Sequence, residues 1–162
     1  MGRVFENKKS KIFNMTHKKL FAISLGILGV VVILFSTGSS VLTYNLFGIP
    51  AGNLIIWIGF IAIQLAVFSF HKGFKASNSV VGKLIRNLMR ILIGISILWF
   101  GIAYILSGNI GFNFSWEASG YLGSPKASIL YWKIIYVLVV APVVLMISYS
   151  LLLYFERLKD TK

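Results

Sequence analysis

Four long apolar segments constrain the fold of this chain more than any other feature. They cover residues 20–42, 49–70, 91–108 and 129–155. Each is near or above the roughly 18 to 20 residues that a helix needs to cross about 30 Å of hydrocarbon. Polar and apolar residues do not alternate within them, which argues against the strands of a membrane barrel. The sequence therefore predicts an all-α integral membrane protein with four transmembrane helices.

Basic residues are distributed unevenly around these segments. The chain has 162 residues, of which 57% are hydrophobic, and its 16 Lys and Arg against 4 Asp and Glu give a net charge of +12. Most basic residues precede the first segment, lie between the second and third, or follow the fourth, whereas the opposite side holds only Lys126 and Lys133. Because cytoplasmic loops are enriched in Lys and Arg, this asymmetry predicts a multi-pass protein of the cell membrane with both termini in the cytoplasm.

The organisation of the chain follows from these two patterns. We predict a basic cytoplasmic segment at 1–19, a transmembrane domain at 20–155 with a basic cytoplasmic loop at 71–90 and an outer loop at 109–128, and a cytoplasmic tail at 156–162. Because the positive charge is concentrated at the expected membrane surface, anionic lipids are the expected partners and nucleic acid is not. The first apolar run is longer than the apolar core of a signal peptide, so we expect it to be retained as an anchor.

A short motif occurs twice in the chain. The segment FGIPAGNLIIW at 47–57 corresponds to LGSPKASILYW at 122–132, at an offset of 123 − 48 = 75 positions. The shared residues are Gly48, Pro50 and Trp57 in the first copy and Gly123, Pro125 and Trp132 in the second. A further similarity, at an offset of 68, relates residues 20–27 to 88–95. We interpret these matches as two tandem parallel hairpins, with chance similarity between apolar helices as the alternative.

Each copy of the motif is interpreted as the outer end of a helix. Proline has no N–H and fixes φ, so Pro50 and Pro125 suit the first turn of a helix. A tryptophan seven residues later falls on nearly the same face, which puts Trp57 and Trp132 at or just below the headgroups. We expect these four residues to be interface anchors, and a contact with a lipid, a quinone or another ligand is the alternative.

Small residues form stripes on three of the predicted helices. Lipid supplies no hydrophobic force between transmembrane helices, so helices associate where small residues let their backbones approach. The positions are Gly26 and Gly29 in the first span, Gly59, Ala62 and Ala66 in the second, and Gly94 and Gly101 in the third. We expect them to pack helices together in a bundle, and a substrate path is the alternative.

Gln64 is the polar residue closest to the centre of an apolar segment. We expect it to make an interhelical hydrogen bond or, alternatively, to line a polar pathway. In the basic loop, Lys83, Arg86 and Arg90 recur at steps of three and four, so a helix would carry them as one stripe. Anionic lipid headgroups are the expected contact of this stripe, and the acidic surface of a partner subunit is the alternative.

Sites for chemistry are few in this sequence. His17 and His71 lie next to the predicted cytoplasmic ends of two helices, and they could hold haem iron or a metal if those helices are neighbours. Their lysine-rich surroundings favour ordinary solvated side chains instead. Cysteine is absent and the four carboxylates are widely separated along the chain. We therefore predict no catalytic activity for the chain on its own and no cofactor, with a contact to haem or a quinone as the alternative.

Two functions are consistent with these patterns. The first is a non-catalytic accessory or structural subunit of a larger membrane complex, of a respiratory or oxidative kind, that provides helix packing and lipid contacts to other membrane subunits. The second is a small transporter or channel with a neutral pathway lined by Asn53, Gln64, Ser128 and Tyr136.

Overall fold

Four long helices make up most of the chain in the structure, a computed structural model that describes residues 2–109 and 121–160, with side chains from residue 16 to residue 159. The helices are α1 Gly2–Ser36, α2 Ala51–Phe70, α3 Val80–Ser107 and α4 Pro125–Asp160, and the helical content is 81%. Each is long and apolar enough to cross a membrane. The prediction is confirmed at this level: the chain is mainly helical, with four helices long and apolar enough to span a membrane.

The helix ends differ from the predicted segment boundaries. Helix α1 ends at Ser36, six residues before the predicted end at Leu42, because Gly38 has a φ of +58° and turns the chain out of the helix. A short 3₁₀ helix, Ser40–Thr43, follows. Helix α3 begins eleven residues before the predicted start of its span at 91, so residues 80–90 of the predicted loop are helical. The Ser79 side chain caps this start by accepting a hydrogen bond from the Gly82 N–H.

A small β-hairpin, which the all-helical prediction omitted, precedes α2. Strand β1 (Asn45–Leu46) pairs antiparallel with β2 (Ile49–Pro50). The two turn residues, Phe47 and Gly48, have φ values of +54° and +86°, as a two-residue turn of type I′ requires. The Asn45 side chain accepts a hydrogen bond of 2.7 Å from the Gly48 N–H. This turn reverses the chain directly before the second long helix.

Helix α2 is the central element of the bundle. Helix α1 packs along it, while α3 and α4 pack against each other and against α2. Only 6% of the residues in the apolar part of α1 are buried, compared with 39% in α2. The core lies between α2, α3 and α4, and its buried side chains include Phe60, Met89, Trp99, Tyr131, Leu138 and Tyr149.

Consecutive long helices run in opposite directions. Val31 of α1 lies beside Gly59 of α2, and His17 lies beside Phe68. In the second pair, the Trp99 and Tyr131 rings are 5.2 Å apart. Ser77, just before α3, donates a hydrogen bond of 2.6 Å from its hydroxyl to the Glu156 carboxylate near the end of α4. The start of α1, the connection 71–79, the start of α3 and the end of α4 therefore lie at one end of the bundle.

Candidate functional site

One side of α2 carries small residues and the other carries large ones. Its small residues Ala62 and Ala66 are buried, and a Cβ built on Gly59 would lie 3.4 Å from Val31 of α1. The other side carries large residues that face α3 and α4: the Phe60 ring meets the Trp99 ring edge-on at 5.8 Å. The predicted stripe on α2 thus lies in the interior of the chain, where it allows close approach of α1.

The predicted glycines of α1 and α3 have a different environment. Gly26, Gly29 and Gly101 are exposed, and Gly94 is half-buried. A Cβ built on any of the four would meet no atom within 4 Å among the residues that the structure describes. Among the described residues these four glycines have no helix packed directly against them, in contrast to Gly59 of α2.

Gln64 makes an interhelical hydrogen bond at the middle of the bundle. Its side chain is fully buried, and its Nε2 donates to the Leu138 carbonyl of α4 at 2.8 Å. Pro142 lies four residues after Leu138 and has no N–H, so this carbonyl lacks its ordinary helical donor. The Gln64 amide supplies the missing donor. The Gln64 Oε1 has no hydrogen-bond partner among the described residues.

The two copies of the repeated motif start their helices in similar ways. Pro50 is the N-cap residue of α2, one position before the helix, and Pro125 is the first residue of α4. The Ser124 hydroxyl accepts a hydrogen bond from the Ala127 N–H at 3.2 Å, which caps α4. The tryptophans differ. Trp57 is half-buried, whereas Trp132 is 45% exposed.

A cavity of about 490 Å³ lies between all four helices. Its volume is within the range of small-molecule sites, and its walls are mainly aliphatic and aromatic. Asn53 of α2 and Ser107 of α3 are polar residues in its wall. Helices α2 and α4, which begin at the repeated motif, both contribute aromatic rings to the wall. The aromatic residues include Phe60, Trp99, Phe100, Tyr131 and Trp132. Tyr136, assigned to the same pathway as Asn53 from the sequence, instead lines a groove of about 580 Å³ between α3 and α4.

The two histidines lie at the same end of the bundle but have separate surroundings. The His17 ring is 6.1 Å from the Phe68 ring. His71 Nε2 is 3.3 Å from the Met146 carbonyl, to which it donates, and 3.2 Å from the Ser150 hydroxyl. Burial lowers the pKa of His71 below its ordinary value, and the bond to Met146 opposes this in part. Among the described residues, no three His, Cys, Asp or Glu gather as metal ligands.

The predicted basic stripe lies on the first turns of α3. Lys83 and Arg90 are exposed and Arg86 is half-buried. The opposite side of α3 carries Ile85 and Met89 into the core. The three basic side chains are therefore presented to the surroundings of the bundle, at the end where the connection 71–79 also lies.

Sequence reasoning missed the contacts that fix this connection. Ser77 is almost fully buried, and its N–H donates to the Tyr149 hydroxyl at 3.0 Å. Its own hydroxyl binds Glu156, so one serine joins the connection to two positions of α4. The signal available in the sequence was the scarcity of acids: Glu156 is one of only four.

Comparison of the chain with family models, with curated proteins and with solved structures finds no match in any of the three.

Proposed function

We propose that this chain is a non-catalytic subunit of a larger membrane complex and that it docks on its partners through the exposed face of α1. The open space around Gly29 carries the proposal. Ala22 is exposed on the same face. In lipid, such a face gains most from a neighbouring helix, because close backbone approach increases van der Waals contact and permits interhelical hydrogen bonds.

The proposed orientation has both termini and the connection 71–79 in the cytoplasm, with the chain in the cell membrane as two parallel hairpins. The gathering of basic residues at one end of the bundle supports it, because the positive-inside bias acts on such residues near helix ends. Lys18 of α1, Lys75 of the connection and Lys83 of α3 belong to this end, whereas Lys126 belongs to the other.

The orientation is tested by labelling single cysteines, since the chain has none of its own. Ser40→Cys and Lys159→Cys place one thiol near each end of the bundle. A membrane-impermeant maleimide applied to intact cells should label Ser40→Cys and leave Lys159→Cys unlabelled until the membrane is opened. Labelling of Lys159→Cys alone in intact cells would show that the orientation is the opposite of the proposed one.

The docking proposal is tested by copurification from native membranes in mild detergent. Ala22→Leu together with Gly29→Leu should release larger membrane subunits that copurify with the unchanged chain. A Cβ at Gly29 meets nothing within 4 Å, and circular dichroism of the variant checks that its helices are intact. Val140→Leu, on an exposed position of α4, is the matched control and should retain the partners. Purification of the unchanged chain as an isolated, active homomer would contradict the proposal.

The second candidate, a small transporter of neutral solutes, is favoured by the cavity between the four helices and by Asn53 in its wall. The test is solute flux into liposomes. Asn53→Val should lower the flux if the cavity is the pathway, and Tyr136→Phe, in the separate groove, should not. Liposomes that remain inert to each neutral solute tested would count against this function.

A further inference from the structure

The turn after α2 holds two lysines beside α1. Lys72, Gly73 and Phe74 have positive φ values of 49°, 74° and 57°, so the chain reverses within three residues. The Gly73 N–H bonds back to the Phe68 carbonyl at 2.8 Å, which closes the end of the helix. Lys75 follows directly. The sharp turn brings Lys72 and Lys75 to the side of the bundle where α1 begins.

The turn is fixed from the inside by Phe74. This side chain is fully buried, and its ring lies 4.7 Å from the Tyr149 ring and 5.2 Å from the His71 ring. A bulky residue with positive φ is strained, so the surrounding contacts must hold it in place. The two lysines on either side of Gly73 and Phe74 are therefore attached to an ordered backbone.

His17 of α1 is the third basic residue at this place. A Cβ built on Gly73 would lie 3.8 Å from the His17 Cε1. Both Lys75 and Lys72 act electrostatically on the His17 ring.

An apolar groove of about 340 Å³ runs between the same two helices. It begins at Ile23, six residues or about 9 Å along α1 from His17. Its walls are entirely aliphatic apart from one glycine, and α2 contributes Ile55 and Ile58. From α1 the wall residues are Ile23, Gly26, Ile27, Val30, Val31 and Leu34. Lys72, Lys75 and His17 thus form a basic cluster near the end of α2. The cluster lies beyond one end of a groove of a size suited to an acyl chain.

We propose that an anionic phospholipid binds at this place, with its phosphate on Lys72, Lys75 and His17 and one acyl chain in the groove between α1 and α2. The charge complementarity selects an anionic headgroup, since attraction between basic side chains and anionic lipid is worth roughly 1 kcal/mol per Lys or Arg near the surface. The groove selects a lipid over a soluble anion. This site is separate from the stripe of Lys83, Arg86 and Arg90 on α3, and it does not depend on the proposed partner subunits.

The test measures lipid binding to the purified, delipidated chain by native mass spectrometry. Phosphatidylglycerol should bind saturably at one copy per chain, and phosphatidylcholine with the same acyl chains should bind at least about tenfold more weakly. Lys72→Gln with Lys75→Gln should weaken phosphatidylglycerol binding about thirtyfold, from two lost charges. Lys83→Gln with Lys159→Gln removes the same charge from the same end and should change it less than about twofold.

Three further arms make the outcome decisive. Lys72→Arg with Lys75→Arg keeps the charge and should keep the affinity, and circular dichroism of every variant checks that the helices are intact. Inorganic phosphate should compete only weakly. Any of three results would overturn the proposal. They are equal affinity for the two lipids, an equal loss of phosphatidylglycerol affinity in the two Gln pairs, and competition by phosphate as effective as that by the lipid. Because the isolated chain is used, loss of copurifying subunits in the docking experiment has no bearing on this result.

Discussion

The two copies of the Gly-x-Pro motif use the same glycine for different reasons. Gly48 lies at the tip of a β-turn with a φ of +86°, and a Cβ there would meet nothing within 4 Å. Gly123 is in close contact with Leu106 and Tyr121, and a Cβ there would overlap the Leu106 carbonyl oxygen. The first glycine is needed for its backbone conformation and the second for the space it leaves.

The tryptophans of the two copies differ in the same way. Trp57 Nε1 donates a hydrogen bond of 3.0 Å to the Ser96 carbonyl of α3, and its ring lies 5.5 Å from that of Phe100. Trp132 lines the cavity between the four helices and is 45% exposed. The difference arises because α2 packs against all three other long helices, whereas α4 packs mainly against α3 and α2. A repeated sequence therefore specifies two similar helix starts, while the neighbours of each copy determine what its residues do.

The largest expected effect separates the two glycines. Gly123→Ala should lower the free energy of unfolding by about 2 to 3 kcal/mol, because the new methyl group overlaps the Leu106 carbonyl and displaces the hydroxyl of Tyr121. Gly48→Ala should cost about 1 kcal/mol, from the left-handed backbone alone. Reversible unfolding in mixed detergent micelles measures both changes.

An asparagine at each position is the control. Asparagine tolerates positive φ better than other residues with a side chain, so Gly48→Asn should recover part of the loss seen with alanine. Gly123→Asn should be at least as damaging as Gly123→Ala, because the space is still filled. Equal losses for the two alanine variants would show that the two glycines are equivalent after all.

The second-largest expected effect concerns Gln64 and Pro142, which lie beyond the repeated motif. Past the tryptophans, Gln64 of α2 and Pro142 of α4 have no matching residue at the offset of 75, yet they meet through the Leu138 carbonyl. Gln64→Leu should cost about 1 to 2 kcal/mol, because it leaves that buried carbonyl without its donor. The same unfolding assay applies.

A double-mutant cycle isolates this contact. In a Pro142→Ala background, the backbone N–H at position 142 can bond the Leu138 carbonyl, so Gln64→Leu should cost clearly less there than in the unchanged chain. Additive costs in the two backgrounds would show that the amide does not substitute for the proline's missing donor.

The sequence predicted the long helices because the length needed to cross a bilayer is a local property of an apolar run. It placed the ends less well, since the end of α1 depends on the conformation of Gly38. Small residues were recognised on three helices, but the pattern did not distinguish the stripe of Ala62, which faces the interior, from Gly29, which is exposed. The bond from Ser77 to Glu156 joins residues 79 positions apart, and no local pattern predicts it.

The third prediction compares the two tryptophans directly. Trp57→Phe should lower the free energy of unfolding by about 0.5 to 1 kcal/mol, because the ring contact with Phe100 is largely kept while the bond to Ser96 is lost. Trp132→Phe should change it by less than about 0.5 kcal/mol, as for other exposed positions. Each variant is the control for the other, and a larger effect at Trp132 would contradict the comparison.

The smallest expected effect comes from His71, which the offset of 75 relates to Met146, its own hydrogen-bond partner. Burial holds the pKa of His71 below the ordinary value of 6.5. In the acid window below that value the unfolded chain binds more protons than the folded one, so stability falls as the pH drops and is fully present above it. The change should be about a few tenths of a kcal/mol, because His71 is only partly buried and solvent screens it.

The measurement is the unfolding midpoint between pH 7 and pH 5. The side chains in contact with the His71 ring include Phe70, Phe74, Tyr149 and Ser150. His71→Gln should flatten the acid side of the profile, while Lys83→Gln, which removes a charge from the same end of the bundle, should leave its slope unchanged. An equally steep profile in His71→Gln would assign the acid sensitivity to another group. It would also show that the contact between His71 and Met146 is indifferent to protonation.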